Sequence, residues 1–139
     1  MQTFAPYSDL EKTAKCLDYR RLGKQRVECY QILKVLAGES DGWKNHPAVK
    51  QWVGYQSFLA LYGVKICEEW IKRGYNDTLL NKIANYQLIE VIPPKFWGDE
   101  KFHSSHRQTL LFKNFDWYKQ FGWTEEPKYE YYWPSKENL

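Results

Sequence analysis

The chain has 139 residues, a formal charge of +3 and 43% hydrophobic residues, with aromatics at 18% through seven Trp, eleven Tyr and seven Phe. That length suits one domain, residues 1–139, burying roughly two thirds of the surface its unfolded form exposes. The mild charge excludes a histone-like polycation, the aromatic content excludes a disordered chain, and no apolar run approaches the roughly 20 residues that span a bilayer. Cys16, Cys29 and Cys67 are odd in number and far apart, which argues against a disulfide framework or a cysteine zinc site. Reduced thiols fit, and the start Met1-Gln2-Thr3-Phe4-Ala5-Pro6 lacks a signal peptide's basic and apolar regions. A cytoplasmic monomer with no cofactor, no metal and no membrane contact is expected.

In chain order, Ser8 or Asp9 caps a first short helix reaching about Tyr19, with Leu10, Ala14 and Leu17 on one side. Gly23 is a poor interior residue, so a second helix is predicted from Lys24, carrying Val27, Tyr30, Leu33 and Leu36 at helical spacing until Gly38. Pro47 starts a long helix running from Ala48 to Arg73, with Val49, Trp52, Val53, Phe58, Leu59, Tyr62, Ile66 and Trp70 as its apolar side and Gly74 as its stop. Asn76-Asp77-Thr78 caps a further short helix to about Tyr86. Ile92-Pro93-Pro94 ends regular structure, and Phe96 and Trp97 hold the loop to Asp99. Ser104 or Ser105 caps a last helix, His106 to about Asn114, and the tail from Trp117 to Trp133 either wraps onto the helices or stays exposed for stacking. No alternating run demands a sheet. The reading is a compact all-α fold with a long central helix and an irregular aromatic tail.

Arg20, Arg21, Lys24 and Arg26 place four cations in seven residues, followed by Glu28. On a continuous helix Arg21, Lys24 and Glu28 share a face, at i, i+3 and i+7. A cationic first turn opposes the helix dipole unless an anion sits there, which favours a bound phosphate. The carboxylate can act as a base or stabilise a developing positive charge. The alternative is an ordinary salt-bridged surface.

Phe102-His103-Ser104-Ser105-His106-Arg107 places two histidines at i, i+3 beside an arginine, suited to phosphate binding or to proton transfer through His106. Asn45-His46-Pro47 either caps a helix or contacts a nucleotide. Among Trp43, Trp97, Trp123, Tyr131, Tyr132 and Trp133, two are assigned to a ligand surface and the rest to the core.

The order and spacing of several landmarks resemble the pyrimidine-dimer DNA glycosylase family of the bacteriophage endonuclease V type. They are Asp18-Tyr19-Arg20, the run Glu68-Glu69-Trp70-Ile71-Lys72-Arg73-Gly74-Tyr75-Asn76, the loop Ile92-Pro93-Pro94-Lys95-Phe96-Trp97-Gly98-Asp99, and the tyrosine-rich tail. The resemblance implies a helical domain that binds duplex DNA with a damaged or modified base and flips a nucleotide. It also implies an N-terminal α-amine that attacks the sugar C1′ to form an imine, with a glutamate assisting and strand cleavage by elimination. An α-amine ordinarily titrates at about 7.7 to 8.0, so a useful fraction is unprotonated at neutral pH. In the family's best-known member the initiator methionine precedes a small residue and is removed; here Gln2 is bulky, so removal is expected to be inefficient and the free amine to belong to Met1. Arg21 stands where the family has its glutamate, and Glu28 is the candidate replacement by geometry. Arg20 carries over as a phosphate contact. The expected site is therefore Met1, Glu28 and His106 for chemistry, with Arg20, Arg21, Lys24, Arg26, Asn45, His46, His103 and Arg107 on the nucleic acid. Two other readings stay open. One is a nucleic-acid-binding module without chemistry; the other is a hydrolase of a modified nucleotide using His103 and His106.

Overall fold

A computed structural model describes residues 1–87 and 90–134. Among these residues every regular element is helical: α1 (Leu10–Cys16), α2 (Tyr19–Leu36), α3 (Pro47–Lys50), α4 (Gln56–Lys72), α5 (Leu80–Ala84), α6 (Glu100–Lys113), α7 (Phe115–Tyr118) and a 3-10 turn, Lys119–Phe121. The all-α expectation holds, with boundaries that differ in instructive places.

Asp9 caps α1 by accepting from Lys12 N at 3.0 Å, as expected. The helix ends at Cys16 because Leu17 and Asp18 are extended. α2 then begins at Tyr19, five residues before the expected Lys24, and runs through Gly23. A Cβ on Gly23 would sit 3.0 Å from two Trp70 ring atoms, so this glycine lets the indole lie against α2 rather than breaking it. The buried face of α2 carries Leu22, Cys29, Ile32 and Leu33, whereas Val27, expected inside, is exposed.

The expected long helix is two helices. Gly54, at φ 87°, turns the chain between α3 and α4, and Val53 beside it is exposed. The other expected apolar positions, from Val49 and Trp52 to Ile66 and Trp70, are buried. α6 starts at Glu100, capped by Asp99 accepting from Lys101 N, so Ser104 and Ser105 lie inside the helix instead of at its cap. Ser105 Oγ donates to Phe102 O, and Ser104 Oγ to Glu125. Phe96 is buried and Trp97 meets Phe58 at 4.9 Å, which anchors the loop before α6 as expected.

The tail wraps. Trp123 stacks on Tyr118 at 5.4 Å and 13°, Lys128 N donates to Gln108 O, and Thr109 Oγ1 donates to Glu130 O. Nothing in the sequence pattern showed the path of the N-terminal segment. Residues 2–6 are buried and thread past α2, α3, α4 and α6. Phe4 N donates to Gln25 Oε1, Tyr62 Oη donates to Phe4 O, and Trp52 Nε1 donates to Thr3 Oγ1. Every backbone group so buried needs a partner, and the side chains of the surrounding helices supply them.

Candidate active site

Because α2 passes unbroken through Gly23, its first turns carry Arg20, Arg21 and Lys24 along the mouth of a cleft of about 350 Å³. The threaded N-terminus brings Met1 and Gln2 into the same cleft. Glu28 forms its floor, and only 7% of that residue is exposed. Lys113 from α6 and Tyr129 and Tyr131 from the tail form the far wall.

The Glu28 carboxylate is held in place. Gln25 Nε2 donates to Oε2 at 3.0 Å and Gln2 N donates to the same oxygen at 3.4 Å, while Lys24 Nζ lies 3.7 Å from Oε1. Gln25 is the pivot of this arrangement. Its Oε1 accepts from Phe4 N at 2.8 Å and from Tyr62 Oη at 2.9 Å while its amide grips Glu28. One buried side chain thus ties the carboxylate to the segment that carries Met1. Sequence reasoning missed it, although a glutamine three residues before Glu28 on a buried face was a readable signal.

His46 stands next to this cluster. Its Nδ1 accepts from Ala48 N at 3.0 Å and caps α3, which leaves the proton of the neutral ring on Nε2. Desolvation and then the positive N-terminal amine hold its pKa below the ordinary value, against the opposing pull of Glu28. Gln51, the C-cap of the same short helix, donates to Gln2 Oε1 and Thr3 Oγ1, both at 3.4 Å. Asn45 is exposed on the preceding loop.

Four of the expected site residues lie elsewhere. His106 is fully buried. Its Nδ1 accepts from Ala5 N at 2.8 Å, its Nε2 has no hydrogen-bond partner, and its ring lies among Phe4, Phe102 and Tyr131. It is enclosed behind Phe4 and Tyr131, which line the cleft, and its Nδ1 anchors the N-terminal segment at Ala5. His103 is also buried; its Nδ1–H donates to Ala5 O at 2.7 Å and its Nε2 accepts from Gly98 N at 3.0 Å. The two imidazoles therefore clamp both polar groups of one residue, Ala5. Burial lowers the pKa of both rings, that of His106 to about 3.

Arg107 is bound by Glu125 at 2.8 Å, by Glu100, and by Pro6 O at 2.7 Å, which spends its donors inside the protein. Arg26 pairs with Asp77, whose Oδ2 also accepts from Leu79 N and Leu80 N at the start of α5, and lies over the Trp70 ring at 4.5 Å. Neither is free for phosphate. The local charge run identified the cations; which of them face the cleft depended on the rotation of α2.

Burial pushes the Cys16 and Cys67 thiols up to about 12, and all three cysteines are free. Among the described residues no three His, Cys, Asp or Glu side chains come together as metal ligands.

Chemically, the cleft combines a primary amine, a buried carboxylate and several cations at one mouth, which suits nucleophilic attack on an anionic substrate. A family model described as pyrimidine dimer DNA glycosylase matches residues 1–82. That range takes in the threaded N-terminus, the cationic turn, Glu28, His46 and α4. The proline loop and the aromatic tail lie beyond it. No curated protein and no solved structure matches the chain.

Proposed function

Because the chain belongs to the pyrimidine dimer DNA glycosylase family, we propose that it removes damaged pyrimidines from duplex DNA through the Met1 α-amine and then cleaves the strand as an abasic-site lyase. The amine nitrogen attacks the sugar C1′. The glycosidic bond breaks with its electron pair passing to the base, which takes up a proton. The amine gives up its protons as the C1′–O4′ bond breaks, its electron pair leaving on O4′, which takes up a proton, and the ring opens to an imine. Loss of the C2′ proton then expels the 3′ phosphate by elimination. Glu28 is the residue that moves protons at C1′, and it stabilises the positive charge of the iminium. Arg20, Arg21, Lys24 and Lys113 hold the flanking phosphates.

The observation that carries this reading is the shared cleft: Met1 and the buried carboxylate of Glu28 line it together with the Arg20, Arg21 and Lys24 cations. The test is borohydride trapping on a duplex with a single abasic site, followed by mass mapping of the crosslinked peptide. An adduct on Met1 is expected. A protein that binds the duplex and traps nothing has lost the imine chemistry.

That outcome would favour a binding module of the same fold. Its motivation is Arg21, which occupies the family's glutamate position and pairs with Asp18 at 3.4 Å. The mononucleotide-hydrolase reading loses its acid-base pair, since His103 and His106 are both committed to Ala5.

A further inference from the structure

Trp43 is 59% exposed, unusual for an indole, the kind of side chain a fold ordinarily covers. Its backbone lies in the left-handed region at φ 67°, which disfavours any residue with a Cβ. The turn is nevertheless fixed, because Trp43 O accepts from His46 N at 2.8 Å. Strained positions of this kind persist where the surroundings over-determine them, and they gather at functional sites.

The surroundings here lead to the cleft. Trp43 meets the His46 ring at 5.9 Å and 74°, His46 meets Trp133 at 6.1 Å and 84°, and Trp133 meets Tyr131 at 5.5 Å. Tyr131 lines the cleft that holds Met1 and Glu28. A row of rings therefore runs from the cleft to an outermost indole. Lys44 and Lys50 are exposed on the same loop and the helix after it, with Asp41 as the nearest acid in sequence.

We propose that Trp43 is a wedge that enters the base stack of the bound DNA beside the reacting nucleotide. The inference rests on the DNA reading above and gives Trp43, outside the cleft that holds Met1 and Glu28, a specific place in it. Extruding a nucleotide leaves its neighbour unstacked, and an aromatic face replaces the lost contact whatever the base. The strained turn holds the indole outward before DNA arrives, which reduces the ordering needed on binding.

The experiment uses a duplex with a non-cleavable tetrahydrofuran abasic analogue and 2-aminopurine as its neighbour. Trp43→Ala is expected to weaken binding by about 5- to 150-fold and to abolish the 2-aminopurine emission change. Trp43→Phe should restore part of both, and thermal melts of each variant confirm folding. Wild-type-like affinity and emission in a folded Trp43→Ala protein overturn the wedge alone. Failure of the wild-type protein to bind the duplex overturns the DNA reading together with the wedge.

Discussion

Glu28 is constrained from three directions, by Gln25, by the Gln2 amide and by Lys24. Glu28→Gln keeps the shape and most of this hydrogen bonding while removing the ionisable carboxyl group on which the proposed proton transfer depends. Single-turnover cleavage of an abasic duplex should slow by about 10²- to 10⁴-fold with the dissociation constant unchanged. A parallel loss of affinity would make Glu28 a binding residue instead. His106 makes a different prediction. Burial holds its imidazole at about 3 against an ordinary 6.5, so between those values the unfolded chain takes up a proton that the folded one refuses. Stability is then fully present above about pH 6.5 and falls by roughly 3 kcal/mol on going from about pH 7 to about pH 4 from this group alone. His103, lowered in the same direction, adds to the loss. His106→Asn retains an acceptor for Ala5 N but does not titrate. It should be less stable than the wild type at about pH 8, through the smaller side chain, yet show a flatter acid limb in denaturant melts. An unchanged limb would assign the acid sensitivity to other groups.

At the scale of elements, α2 and α4 approach each other through glycine. A Cβ on Gly63 would lie 2.5 Å from Cys29 Sγ and 2.9 Å from Ile83 Cγ2. Gly63→Ala therefore should destabilise by about 1–3 kcal/mol in urea unfolding, overpacking outweighing the better helix propensity of alanine. A gain in stability would show that the core gives way easily there. Helix existence was legible along the chain because capping side chains and a 3.6-residue apolar repeat act locally: Asp9 and Pro47 each mark a helix start where expected. The misplaced boundaries share a cause. Gly23 and Gly54 look alike as residues, yet one lies in a helix against an indole and the other turns the chain at φ 87°. The difference is in what packs beside them.

Across the whole molecule, the cations divide into those that face solvent at the cleft and those consumed by internal partners. If Arg20, Arg21, Lys24 and Lys113 are the phosphate contacts, log affinity for duplex against log salt should have a slope of roughly −3 to −4. Arg20→Ala or Lys24→Ala should each reduce that slope by about 0.9. Arg26→Ala and Arg107→Ala should leave it unchanged while lowering the melting temperature, because each strands a carboxylate partner largely shielded from solvent. A slope altered by the second pair and not by the first would reverse the division. What the sequence by itself determined was the helical class, the cationic turn beside Glu28 and the likeness to a DNA glycosylase family, since these follow from short-range periodicity and from the order of landmarks. Only the tertiary structure decided that Gln25 ties Glu28 to the N-terminal segment at Phe4, that Lys113 and Tyr129 close the cleft, and that two histidines anchor Ala5. Those relations join residues far apart in the chain, 101 positions for Ala5 and His106, and a contact across that separation exists only once buried backbone groups have had to find partners in the packed chain.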